Sequence, residues 1–183
     1  MMKPYQTFKK ENLKHTFITM QLAFILTQTV WGQQDEANTW LLQQKLPDWT
    51  TTTLKKLKLD SLYKLSDFIN PFYIEADFDG DNKSDIAVAT EQTKTKKKGI
   101  IILHRATGRY FVLGAGNNFG NGGDNFDWMD IWKVYTDKKI SPGVGEIKPM
   151  DLKVNGIYIA KSESSGGVIF WTGNKYKWYQ HGD

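Results

Sequence analysis

The stretch EADFDGDNKSDIAVA, residues 75–89, sets four aspartates at positions 77, 79, 81 and 85 and then turns apolar. Like charges this close repel, so something must make their crowding favourable. Counted from Asp77, carboxylates fall at loop positions 1, 3, 5 and 9, and Lys83 at position 7 offers a main-chain carbonyl. That is the spacing with which a tightly curled loop wraps oxygen ligands around a hard divalent cation. Gly80 permits the bend, and Asn82 tolerates the left-handed conformation such loops require. Ca2+ suits the set better than Mg2+ because it accepts many oxygens in irregular geometry, and the loop holds no His or Cys for a softer metal. The expected ligands are therefore Asp77, Asp79, Asp81, Lys83 and Asp85, holding Ca2+ in a structural role. The alternative is a solvated acidic turn that binds nothing specifically.

An EF-hand would carry a bidentate Glu at position 12, where this chain has Val88 within a strand-like run. The flanks are extended, so the loop joins strands. Here the chain resembles the FG-GAP or VCBS repeat, the aspartate-rich calcium loop of integrin-type β-propeller blades and of many exported bacterial proteins. Asp77, Phe78, Asp79, Gly80, Asp81, Lys83, Asp85 and Ile86-Ala87-Val88 carry the resemblance. Asn82 departs from it, since that family usually has Gly there. The resemblance implies a calcium-bound blade-like unit. A propeller needs about four blades or more, which the chain is too short to supply with a single such loop.

Outward from the loop, FYIEA precedes it, and DIAVAT, GIIILHR and RYFVLGA follow, separated by KTKKKG and ATG. β-Branched and aromatic runs bounded by turn residues predict an antiparallel meander, with the lysines of 94–98 on a hairpin tip. From Gly156 the pattern returns: Gly167 corresponds to Gly99, Thr172-Gly173 to Thr107-Gly108, and Tyr176 to Tyr110. The second copy follows MDLKVNG, which has no acidic cluster. The predicted fold is mainly β, a β-rich α+β arrangement: two antiparallel blade-like sheet units packed face to face, preceded by a short helical N-terminal segment. The expected units are a segment over 33–71 and a β domain over 72–183, with the calcium-loop unit at 72–115 and the metal-free unit at 150–183. In the first, ANTWLLQQKL predicts a short helix ending before Pro47. TLKKLKLDSLYKLSDFI predicts another with Thr53 as N-cap, although alternation from Leu57 to Tyr63 equally suits a strand. FDWMDIWKVY alternates like a strand but also spaces Trp128 and Trp132 as one helical turn would.

Residues 1–32 read as a secretory signal peptide: lysines at 3, 9, 10 and 14, an apolar run, and small residues before a cut after Gly32. An uncleaved anchor is the alternative, but Gln21, Thr27 and Gln28 interrupt a run already short for a span. Four of the 24 basic and one of the 20 acidic residues precede the cut, leaving 20 against 19, a net charge of +1. The basic excess of the whole chain is therefore no argument for nucleic-acid binding. Cysteine is absent, which rules out disulfides and thiol catalysis and leaves core packing or a bound ion to stabilise an exported domain.

Catalytic motifs are missing. His104 ends an apolar strand and reads as a surface or packing residue, and His181 lies where a terminus frays. Asp124, Asp127 and Asp130 suit a capped turn, or a second metal site or acid pair. Trp128, Trp132, Trp171 and Trp178 suit core packing first. Neighbours in a strand face opposite sides, however, so the final hairpin is expected to expose an aromatic face for a protein or glycan partner. These features point to an exported, calcium-stabilised binding module, periplasmic or extracellular, non-catalytic, with no membrane span after cleavage. The rival is a small secreted hydrolase using carboxylates of the 120–130 loop with Glu146 or Glu163.

Overall fold

The computed structural model describes residues 36–146, 148–164 and 166–182. The expected signal peptide lies outside them. The chain is mainly β, with antiparallel sheets preceded by a short helical segment. Every element from Leu42 onward belongs to one compact unit.

Residues 36–45 are helical (α1), ending before Pro47 as expected. A second helix, α2 (Asp48–Lys56), starts earlier than the leucine spacing suggested, with Pro47 as its N-cap. Asp48 in the first turn and Lys55 and Lys56 in the last complement the helix dipole. Thr53 is therefore no N-cap: it sits inside the helix and donates from Oγ1 to the Trp49 carbonyl at 2.7 Å. Lys58 then turns left-handed at φ 56°, a 3-10 turn spans Leu59–Ser61, and the chain extends as β1 (Tyr63–Leu65). The helix expected over this stretch fails because Leu59 is buried from that short turn, which satisfies the apolar pattern without helical continuation.

The first sheet contains β1, β2 (Tyr73–Ala76), β3 (Asp85–Gln92), β4 (Lys98–Leu103) and β5 (Tyr110–Gly114). β1 and β2 lie in succession along one edge of β3, against residues 90–92 and 85–88 respectively, and β4 and β5 complete the order. The second sheet runs β6 (Ile131–Tyr135), β9 (Gly156–Ala160), β10 (Gly166–Trp171), β11 (Tyr176–His181). Alternation thus prevailed over the helical spacing in FDWMDIWKVY. The two sheets draw β1 and β6 from outside the 72–115 and 150–183 stretches. Between β6 and β9, β7 (Lys139–Ile140) and β8 (Met150–Asp151) form a small ladder of their own.

β3 and β4 are buried on both faces, which explains their near-continuous aliphatic runs. The register places Ala87 opposite Ile102 and Ile102 opposite Phe111, and this face meets the second sheet where the Phe111 ring stands 5.1 Å from Trp171 and 5.0 Å from Tyr176. Ile86, Leu103, Val88 and Ile101 take the opposite face. All of these, with Leu46, Leu54 and Leu59 from the N-terminal segment and Ile157, Ile159 and Ile169 from the second sheet, belong to one apolar cluster. Each fully buried Val, Ile or Leu among them contributes about 1.5–3 kcal/mol by burial.

The repeat is visible in topology, with one difference of facing. Gly108 and Gly173 both adopt positive φ in equivalent hairpin turns. Tyr110 and Tyr176 both open the third strand, but Tyr176 is buried and Tyr110 is 45% exposed. In the first hairpin the closing pair Leu103–Tyr110 faces away from the second sheet, whereas Trp171–Tyr176 faces the first. Phe111 thereby takes the inward place that Tyr176 holds in the other copy.

Candidate metal centre

β2 ends at Ala76 and β3 begins at Asp85, and the acidic loop is the whole connection. Phe78 has no accessible surface and anchors it in the core. Around that anchor the backbone curls onto its own carboxylates. Asp77 accepts from the Gly80 amide at 2.6 Å and the Asn82 amide at 2.9 Å. Asp79 Oδ1 accepts from the Asp81 amide at 3.2 Å, and Asp81 Oδ1 from the Lys83 amide at 2.8 Å. Gly80 at φ 88° makes the bend, and Asn82 at φ 65° takes the left-handed conformation the sequence predicted for it. A β-carbon on Gly80 would also stand 2.7 Å from Val154 Cγ1, so the second half of the chain closes over the bend.

Carboxylate oxygens of Asp77, Asp79 and Asp81 lie within 4.8 Å of one another. Asp85, also expected in this set, is placed differently. It has no accessible surface, and its two oxygens accept from the Phe78 amide at 3.0 Å and the Arg105 amide at 2.9 Å. Burial pushes its carboxyl up to about 6; the two amide donors oppose the rise, and the charges of Asp79 and Asp81 add to it. A cation nearby would reverse that balance, because it favours the ionised form.

Asp85 shares a second cluster with Asp79 and His104, whose ligand atoms again lie within 4.8 Å of one another. His104 follows β4 and is 1% exposed, so of the two sequence readings, surface or packing, the structure takes the buried one. Its Nε2 meets the Tyr176 hydroxyl at 2.7 Å, joining the two sheets. Its Nδ1 approaches Asp79 Oδ2 at 3.0 Å but without hydrogen-bond alignment, and has no other partner among the described residues. Burial pushes the His104 pKa below its ordinary value, against the pull of Asp79. Burial first, then the Asp85 and Asp79 charges, push the Tyr176 phenol up, so it remains a hydroxyl. Asp79 is thus shared, with Oδ1 turned to the loop and Oδ2 to the histidine. Asp79 also lines a cleft of about 340 Å³ with Asp151, Lys153, Trp171 and Thr172.

The expected aromatic face is not what the hairpin presents. Trp132 is buried, with Nε1 donating to the Pro71 carbonyl at 2.6 Å. Trp128, Trp171 and Trp178 are half-buried against the main cluster. Trp128 Nε1 donates to the Gly122 carbonyl and Trp178 Nε1 to Gln180. Alternation along a strand exposes a face only where nothing covers it, and here the Gly-rich loop does: added β-carbons at Gly120 and Gly122 would meet the Trp178 ring. Asp124 pairs with Lys97, and Asp130 accepts from Lys161 at 2.7 Å and from the Ser162 amide at 2.7 Å. Among the described residues, no cluster of metal-ligating groups includes Asp124, Asp127, Asp130, Glu146 or Glu163. His181 is paired in β11 opposite Gly166 and packs on Tyr135 and Tyr158, so it does not fray as expected.

Sequence reasoning missed His104, Tyr176 and Val154. A lone histidine at a strand end carries no local signal, and Val154 meets the loop only through the packing of the second sheet. No family model, curated protein or solved structure matches the chain.

Proposed function

We propose that the protein is a calcium-stabilised, β-rich binding module of FG-GAP/VCBS-like character, exported to the periplasm or beyond the cell. It is non-catalytic and engages a protein or glycan at the envelope. The observation that carries the reading is the convergence of the Asp77, Asp79 and Asp81 carboxylates on a bend with two left-handed residues. Asp85 and the Lys83 carbonyl complete the oxygen set when Ca2+ draws the loop together. The cleft beside Asp79 gives the module a place to contact a partner, with Lys153, Asp151 and Thr172 as polar groups. No helix among the described residues is long and apolar enough to cross a membrane. Of the carboxylates a hydrolase would use, Asp124 and Asp130 are held in separate ion pairs, and none joins a cluster of metal-ligating groups among the described residues, so no observation favours that rival.

Calorimetric titration tests the metal assignment. One equivalent of Ca2+ binds with Mg2+ in excess, and free Ca2+ at 100 times its Kd adds about 2.7 kcal/mol, a rise in Tm of about 5–10 °C. The pair Asp77→Asn with Asp81→Asn keeps the turn's acceptors but abolishes both effects. Identical melting in Ca2+ and in excess chelator would remove the reading.

A further inference from the structure

We infer that Asp79, Asp85 and His104 form a second, inner site for a first-row divalent cation of the zinc class, distinct from the outer calcium loop. The inference does not depend on calcium occupancy; the two sites share the Asp79 and Asp85 carboxylates, and His104 belongs to the inner site alone.

The starting point is a buried nitrogen with nothing to do. His104 Nδ1 is inaccessible, makes no aligned hydrogen bond, and stands 3.0 Å from Asp79 Oδ2, an ion pair only if the ring is protonated. In the tautomer that donates Nε2–H to Tyr176, Nδ1 presents a bare lone pair to a carboxylate oxygen at that distance. In that tautomer a cation shared by the two electron-rich atoms would hold them at such a separation. With metal–ligand bonds of about 2.0–2.1 Å, adjacent ligands of one ion stand roughly 2.8–3.4 Å apart, which brackets the observed gap. The other ring nitrogen is held by an oxygen from the opposite sheet, the arrangement that orients a metal-binding imidazole.

Asp85 supplies the third ligand. Each of its oxygens already accepts one amide, which fixes the carboxylate in place and leaves a lone pair on each. The donor set is one imidazole and two carboxylates. Nitrogen ligation disfavours Ca2+ and suits zinc-class ions, so the inner site discriminates by chemistry where the outer one selects by oxygen count. Of the three ligands, Asp79 lines the cleft beside Trp171 and Thr172, so the site borders that cleft on its Asp79 side.

The test uses the full-length protein with Zn2+ and Co2+ as probes, in saturating Ca2+. One equivalent of Zn2+ shifts the 15N resonance of His104 Nδ1 and leaves those of His181 unmoved, and Co2+ develops visible absorption of a nitrogen–oxygen site. His104→Gln lowers Zn2+ affinity at least 100-fold while calcium binding persists. Asp77→Asn with Asp81→Asn does the reverse. The wild-type resonance keeps the test independent of how well the buried variant folds. An unshifted His104 resonance at two equivalents of Zn2+ overturns the inference, as does zinc binding lost with the outer pair but kept in His104→Gln. Zinc capture at His104 in a protein that ignores Ca2+ would sustain the inner site and remove the calcium reading alone.

Discussion

In the first sheet the chain passes from the outer strand β2 into β3 through residues 77–84; in the second it passes from β6 into β9 through residues 136–155. The short connection buries one large apolar side chain, Phe78, and the amides of Phe78, Gly80, Asp81, Asn82 and Lys83 all end on carboxylates. The long connection builds a satellite core instead: Ile140 within β7 and Leu152 just after β8 pack with Tyr135, Val168 and Tyr179. The Tyr179 hydroxyl also donates to the Lys148 carbonyl. One connection is ordered by charge, the other by apolar burial. The short turn has one buried apolar anchor, so on the proposed reading its order depends also on what neutralises its acids, whereas the longer connection carries a hydrophobic cluster of its own.

The largest test of this contrast removes the apolar anchor on each side. Phe78→Ala should cost about 3–5 kcal/mol and Ile140→Ala about 2–5 kcal/mol in denaturant unfolding. Phe78→Ala should also weaken calcium affinity, while Ile140→Ala leaves it unchanged. Equal calcium affinity in both variants would break the distinction.

A pH series separates the two sides next. In calcium-free protein, folded Asp85 holds its proton more tightly than the unfolded chain does. Its contribution to stability is complete below pH 3.8 and lost as pH rises through about 6, roughly 3 kcal/mol in all. Urea unfolding between pH 4 and 7 should show that decline in chelator and not in saturating Ca2+, where the cation favours the ionised carboxylate. Asp85→Asn should flatten the chelator curve; an unchanged slope would mean that other groups set it.

A smaller effect is expected at the bend. Gly80→Ala forces a β-carbon into a left-handed residue and against Val154, costing about 1–3 kcal/mol. Val154→Ala in the same chain should recover part of the loss. Recovery of none would assign the cost to backbone strain alone.

Much of this architecture was legible in residue order. Ile86-Ala87-Val88 and the run from Ile100 to Leu103 are aliphatic because both faces of β3 and β4 are covered, and the glycines at 108 and 173 mark the matching turns. The acidic bend was legible because ligand spacing, Gly80 and Asn82 are all local. The division of its carboxylates was not, since one Asp85 oxygen accepts from the Arg105 amide, which arrives with the next hairpin, and His104 from the same hairpin lies beside it. The tryptophans misled for the same reason: whether a strand face is open depends on distant segments such as the loop at 120–122. The helix boundary at Lys56 was hidden because leucines from Leu54 to Leu65 fit two periodicities at once.

Amide hydrogen exchange, read separately in the two connections, measures the central difference most directly. Saturating Ca2+ should slow exchange at the Gly80, Asn82 and Lys83 amides by about 10- to 100-fold relative to chelator and leave residues 136–152 at their original rates. Unaltered exchange across 77–85, or equal slowing in both connections, would contradict the view that a cation orders one turn and apolar packing the other.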